Sequence, residues 1–153
     1  TSVLGDDVEE AFCKEVDVNV FGLIRVAKAF AGTLEKNKGA LVQLNSVASI
    51  RNFTPFSTYA ASKAASYSFT QALRDELGAK GISILSVHPG PIATDMGDTA
   101  GFEGAPTAEV VADGIVDALA AGDFFLFPDE MAKMFEAAYK GHAENCILQD
   151  LPE

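Results

Sequence analysis

The sequence predicts a layered α/β protein built on a parallel sheet, and three observations predict it. Segments with a helix period alternate with short apolar runs in the order helix, strand, helix, strand, helix, strand, helix, the rhythm of βαβ units. The apolar runs, ALVQLNS (40–46), ISILSV (82–87) and DFFLF (123–127), are nearly continuous rather than alternating, as strands covered on both faces are. Glycine or proline stands at the junctions between the two patterns, at Gly39, Gly81, Pro89, Pro106 and Pro128.

Residues 5–36 read as one long helix, because Val8, Phe12, Val16, Val20, Leu23, Ala27, Phe30 and Leu34 recur every three or four positions. Asp6 or Asp7 suits its first turn and Lys36 and Lys38 its last, in keeping with the helix dipole. Asn19 lies mid-helix between Val18 and Val20, either at a locally exposed position or in a polar contact. After the strand at 40–46, residues 47–56 have no period and contain Pro55, so they form a loop. An alanine-rich helix then runs from Ser57 to about Lys80, with Ala64, Phe69, Ala72, Leu73 and Leu77 facing inward. Beyond the second strand, residues 90–105 make a long glycine-rich loop of the kind that binds, covers or moves. A helix starting at Pro106 carries the stripe Val110, Val111, Ile115 and Leu119, and a last helix follows the third strand over 128–145.

The chain has 153 residues, 48% hydrophobic and 22% charged, which suits one globular domain over 1–153. No apolar run approaches the roughly 20 residues of a membrane span, and TSVLGDDVEE at the start is acidic where a secretory leader is basic. The expectation is a cytoplasmic protein with no membrane partner. A net charge of −11, with its eleven basic residues scattered, opposes nucleic-acid binding. Cys13, Cys146, His88 and His142 stand apart from one another and give no metal-site spacing.

The chemistry concentrates in NSVASIRNFTPFSTYAASK, residues 45–63. Ser46 ends a strand, while Tyr59 and Lys63 are one turn apart on one face of the next helix. A hydroxyl, a phenol and an ammonium so placed can surround a carbonyl or alcohol oxygen. The ammonium favours the phenolate and so draws the phenol pKa down from about 10.

YAASK at 59–63, Ser46 thirteen residues before Tyr59, Asn19 in DVNVFG and HPGPIATDM at 88–96 together resemble the short-chain dehydrogenase/reductase family, from about Val8 to about Gly122. The resemblance implies a Rossmann-type three-layer domain that transfers a hydride between NAD or NADP and an alcohol, aldehyde or ketone. It implies Tyr59 as general acid/base, Ser46 as the group polarising the substrate oxygen, Lys63 as partner of tyrosine and nicotinamide ribose, and Asn19 as holder of a relay water. It also implies Pro89 and Gly90 as the turn beside the nicotinamide, Ile92 and Thr94 as further cofactor contacts, and a substrate loop at about 91–105. Phe53, Phe56, Met96 and Phe102 in or beside that region favour an apolar substrate.

Two expectations follow from what the sequence lacks. No glycine-rich dinucleotide turn is visible, Gly97, Gly101 and Gly104 having the wrong spacing. The chain is therefore expected to be the C-terminal catalytic part only, a fragment of about three strands with the cofactor region absent, and NAD against NADP stays open. The competing reading is a non-catalytic α/β fragment acting through protein contacts. A homodimer or homotetramer is expected from the family, with apolar positions such as Phe21 and Ile24 on the outer faces of the first two helices.

Overall fold

The computed structural model describes residues 1–99, 101–102 and 104–148, and for Met96 and Asp98 the backbone alone. Parts of the expected substrate loop, at Ala100 and Glu103, and the side chain of Met96 thus lie outside the described residues.

The long N-terminal helix is interrupted. Helix α1 (Val8–Val16) passes through a π-helical turn (Asp17–Phe21) into α2 (Gly22–Asn37). The apolar period is right for both α segments, but the wider turn resets the faces, so Asn19 and buried Val20 point at the next helix. Lys38 rather than Gly39 takes the left-handed cap, at φ 50°. A Lys38→Gly variant is therefore expected to gain about 0.5–1 kcal/mol in a urea melt, the side-chain clash of that conformation being removed.

Strand β1 (Ala40–Leu44) follows, then short 3₁₀ turns at Val47–Ser49 and Thr54–Phe56, then α3 (Ser57–Gly78). Strand β2 (Ser83–Val87) pairs parallel to β1 in the register Ala40–Ser83 to Leu44–Val87. The loop beyond holds a one-turn helix, α4 (Asp95–Thr99). Helix α5 (Ala108–Ala121), strand β3 (Phe125–Leu126) and α6 (Glu130–His142) complete the order, with a second π turn at Ala143–Ile147. The five-residue run DFFLF thus shortens to a two-residue strand, since only Ser86 and Val87 of β2 offer it partners.

The sheet order is β1-β2-β3, all parallel. Alternate residues of β2 face opposite layers. Ile84 packs with Leu77, Ile82 and Phe124, joined by Ala31, Leu34 and Leu41. Leu85 and Val87, fully buried, pack with Ala118, Val111 and Ile115 of α5. A third cluster of Val47, Phe127 and Ala132 ties the turn after β1 to α6.

The expectation of a C-terminal part only is corrected by this architecture. Secondary structure runs almost the length of the chain, with helical segments at 8–37, 54–78, 108–121 and 130–147. Counting strands understated it, because the helices supply most of the elements and the core lies on both faces of a narrow sheet.

Candidate active site

The site lies beyond the C-terminal ends of β1 and β2, where crevices form in parallel sheets. The two chains stay side by side past the strands, with Asn45 N–H donating to Val87 O at 2.8 Å and Val47 N–H to Pro89 O at 3.0 Å. Ser46 is extended there, and its hydroxyl accepts from Ala48 N–H at 3.1 Å, capping the 3₁₀ turn. Its own proton points to Pro89 O at 3.4 Å.

Tyr59 and Lys63 occupy the first two turns of α3, and the Lys63 ammonium lies 5.7 Å from the Tyr59 ring centre. Lys63 Nζ donates to Leu44 O at 2.8 Å. Asn19 Nδ2 donates to Ser62 Oγ at 2.9 Å, and Ser62 Oγ donates to Tyr59 O at 2.8 Å. Asn19 thus reaches the tyrosine's backbone through one hydroxyl, and the π turn is what brings its amide to α3. The structure gathers Asn19, Ser46, Tyr59 and Lys63 around the start of α3.

Burial governs the titration of both proton-bearing groups. The Tyr59 phenol is raised above its usual value, chiefly by burial. A hydrogen bond with Ser46 opposes this and the Glu15 carboxylate adds to it. Burial lowers the Lys63 ammonium to about 8. The sequence expectation was a tyrosine drawn down by lysine; in this structure the phenol is raised, with burial as the main cause. Glu15 had no place in the sequence reading. It is one turn ahead of Asn19 on the same helical face, and its Oε2 is buried without a hydrogen-bond partner among the described residues.

The loop after β2 is anchored from an unexpected quarter. Gly90 N–H donates to Asp129 Oδ2 at 2.7 Å, while Asp129 Oδ1 accepts from Ala132 N–H at 2.9 Å and caps α6. A Cβ on Gly90 would stand 2.7 Å from Asp129 Oδ1, so this close approach requires glycine. The sequence reading ran the last helix from 128 and gave Asp129 no role, whereas the helix starts at Glu130 with Asp129 as its cap. Asp129→Ala removes the cap and orphans the Gly90 N–H, and a urea melt is expected to show a loss of about 2 kcal/mol.

Ile92 and Thr94 sit in the base of the loop. Thr94 Oγ1 donates to Ile92 O at 3.4 Å and accepts from Gly97 N–H at 3.1 Å, while Ala93 bridges to Thr107. An open cleft of about 500 Å³ lies between loop and α6, lined by Pro91, Phe102, Pro106, Glu130 and Met131 among others. Phe56 packs on Phe102 with ring centres 6.3 Å apart. Phe53 instead joins Phe135 and the Val47 cluster, so it serves the core. No group of three or more metal-ligating side chains occurs among the described residues. Nor is any helix among them long and apolar enough to cross a membrane.

Set beside known proteins, residues 3–102 match the family model described as short chain dehydrogenase, and the chain belongs to that family. It is 37% identical to estradiol 17-beta-dehydrogenase 2 of Rattus norvegicus over 79 residues, 52% of this chain and 21% of that protein. A probable oxidoreductase EphD of Mycobacterium bovis is 35% identical over 111 residues, 71% of this chain and 19% of that one. Among solved structures, a short chain dehydrogenase from Burkholderia cenocepacia J2315 in complex with NADP superposes with a TM-score of 0.83 at 27% identity, covering 98% of this chain and 64% of that one. The chain therefore spans about a fifth of the length of these curated relatives.

The family match also corrects the expectation that the cofactor region is absent. It begins at residue 3 and takes in the helical segment 8–37. That expectation rested chiefly on glycine spacing, whereas the match rests on the whole stretch, and the reading of the chain as a catalytic fragment without that region falls with it.

Proposed function

We propose that the protein is an NAD(P)-dependent oxidoreductase acting on an alcohol, aldehyde or ketone, with the loop at about 91–105 as its substrate loop. The observation that carries this reading is the convergence of Ser46, Tyr59, Lys63 and Asn19 at the ends of two parallel strands. The residues fit a nicotinamide cofactor in one checkable respect. Lys63 gives one N–H to Leu44 O, leaving two donors on a half-buried ammonium for ribose hydroxyls. Pro89, Gly90, Ile92 and Thr94 would border the cofactor on the loop side. Bound there, the nicotinamide would supply or accept the hydride.

In the reducing direction Tyr59 donates its phenolic proton to the substrate oxygen as the carbonyl carbon is reduced, and Ser46 steadies that oxygen with a hydrogen bond. A phenol held above its ordinary pKa keeps this proton available through neutral pH. Lys63, near 8, can return a proton to the phenolate, and Asn19 holds the water that feeds it. The B. cenocepacia relative's complex with NADP makes NADPH the first cofactor to test. Phe56, Phe102, Pro91 and Met131 around the cleft support an apolar substrate.

Full-length protein mixed with NADPH and apolar ketones such as acetophenone is expected to consume NADPH, read as falling nicotinamide absorbance. No consumption of NADPH or NADH across a broad ketone and aldehyde panel, with none of the reverse reaction on the alcohols, would refute the assignment. Assembly as a homodimer or homotetramer is part of the reading, supported by Phe12, Phe21, Phe30 and Phe69 exposed on α1 to α3. Light scattering that shows a monomer at micromolar concentration contradicts it.

A further inference from the structure

Beneath the site, between β1, β2 and α3, runs a line of polar side chains where a sheet–helix interface ordinarily holds hydrocarbon. Asn45, Ser66, Thr70, Ser86 and His88 are each 3% exposed or less, and Ser49 ends the line in the turn after Ser46. Their hydrogen bonds form a connected thread with one direction. The Asn45 amide sets it, since its nitrogen only donates and its oxygen only accepts. Asn45 Oδ1 accepts from Ser66 Oγ at 3.0 Å, and Ser66 Oγ accepts from Gln43 Nε2 at 3.0 Å. Asn45 Nδ2 donates to Ser86 Oγ at 2.9 Å, with a side branch to Thr70 Oγ1 at 3.3 Å.

Having accepted from Asn45, Ser86 has one proton to give, and His88 Nε2 lies 2.8 Å away. That leaves the ring proton on Nδ1, 3.0 Å from Ser49 Oγ and 3.2 Å from Ser46 O. Ser49 Oγ in turn donates to Ser46 O, as does the Ser49 N–H at 3.0 Å. The ring itself is clamped, stacked on Phe127 with centres 5.1 Å apart and met edge-on by Tyr67 at 4.7 Å. Three donors therefore converge on the Ser46 carbonyl, while among the described residues the Ser46 hydroxyl is held by Ala48 N–H, a long contact to Pro89 O and its bond with Tyr59.

We propose that His88, acting through Ser49, is a positioning residue that fixes the Ser46 hydroxyl against Tyr59, a role that rests on the oxidoreductase reading above. The hydroxyl's place follows from the backbone at 46–49, and the thread is what pins that backbone from below. A single histidine tautomer, held by a one-way chain of hydroxyls and amides, keeps the clamp in one arrangement.

The test is ¹³Cζ-tyrosine NMR of the full-length protein at pH 7.5, which needs neither substrate nor cofactor. The Tyr59 signal is identified by its loss in Tyr59→Phe. It is expected to move in Ser46→Ala, to move in the same direction in His88→Phe and Ser49→Ala, and to stay in place in Thr70→Val, which cuts only the side branch. Ser49→Ala leaves the ring intact and serves if His88→Phe fails to fold. A Tyr59 signal that moves in Ser46→Ala but in neither His88→Phe nor Ser49→Ala overturns the proposal, and one that moves in none of the three overturns it as well. With NADPH and acetophenone, kcat is expected to fall about tenfold in His88→Phe at unchanged KM for NADPH, the size of a misplaced polarising group. Should the wild type turn over nothing while the NMR pattern holds, the reaction assignment fails and the positioning role stands.

Discussion

Tyr59→Phe in the full-length protein is expected to lower kcat for ketone reduction by about 10³-fold while leaving cofactor affinity within about twofold. The substitution removes one oxygen and keeps the ring, so binding surfaces are preserved while the phenolic proton beside the Ser46 hydroxyl is gone. Positioned general acids contribute roughly 10²–10⁴-fold, and the Lys63 ammonium, which donates to the Leu44 carbonyl at 2.8 Å, serves the phenol rather than the substrate oxygen. The pH profile separates the two groups. The Tyr59 proton persists through neutral pH because burial raises its pKa, whereas Lys63 loses its charge near 8. Wild-type reduction is therefore expected to fall with an alkaline limb near pH 8, and Lys63→Arg, which keeps its charge, to lack that limb while turning over more slowly. Turnover in Tyr59→Phe within tenfold of wild type would remove the tyrosine from the chemistry.

What could be read from the sequence was local and what could not was set by depth. Helix α3 was expected from Ser57 to about Lys80 and runs from Ser57 to Gly78, because its alanines and opening serine act within a few residues of themselves. Asn19 was legible as an anomaly, a low-propensity amide among apolar neighbours. The π turn that aims it was not legible, since a wider turn leaves no mark on residue type. The Tyr59–Lys63 spacing fixed a shared helix face, but the sign of the tyrosine's shift depends on how far the neighbouring elements exclude water. Phe53 and Phe102 were both read as lying in or beside the substrate region, and only packing separated them, one into the Val47 cluster and one onto the cleft. His88 read as an isolated histidine because its partners Ser46 and Ser49 are 42 and 39 residues away. Asp129 was silent for the same reason, its partner Gly90 being 39 residues back.

That buried histidine also governs the response to acid. The His88 pKa is lowered from 6.5 to about 4, chiefly by burial, with the bond to the Ser46 carbonyl opposing. The elements packed around it present Tyr67 and, hydrogen-bonded to Tyr67, Tyr139 as titratable groups, both raised and so neutral in acid, together with Phe125 and Phe127. Between pH 6.5 and 4 the unfolded chain binds a proton at this position that the folded chain refuses, so stability rises with pH across that window and is lost as pH falls through it. The full loss is about 3 kcal/mol, of which about 2 kcal/mol is expected by pH 5. Protonation also reverses the thread, because a ring with hydrogens on both nitrogens meets Ser86 Oγ with a donor where the neutral ring accepts. Urea melts of wild type and His88→Phe at pH 7.5 and pH 5 isolate the effect from the other carboxylates. The range stops there because the net charge of −11, which opposes association at neutral pH, is neutralised in stronger acid. The variant starts lower at pH 7.5, having lost the hydrogen bonds to Ser86 and Ser49, and its deficit is expected to shrink by about 2 kcal/mol at pH 5. Equal pH slopes for the two proteins would show that His88 is not held neutral by the fold.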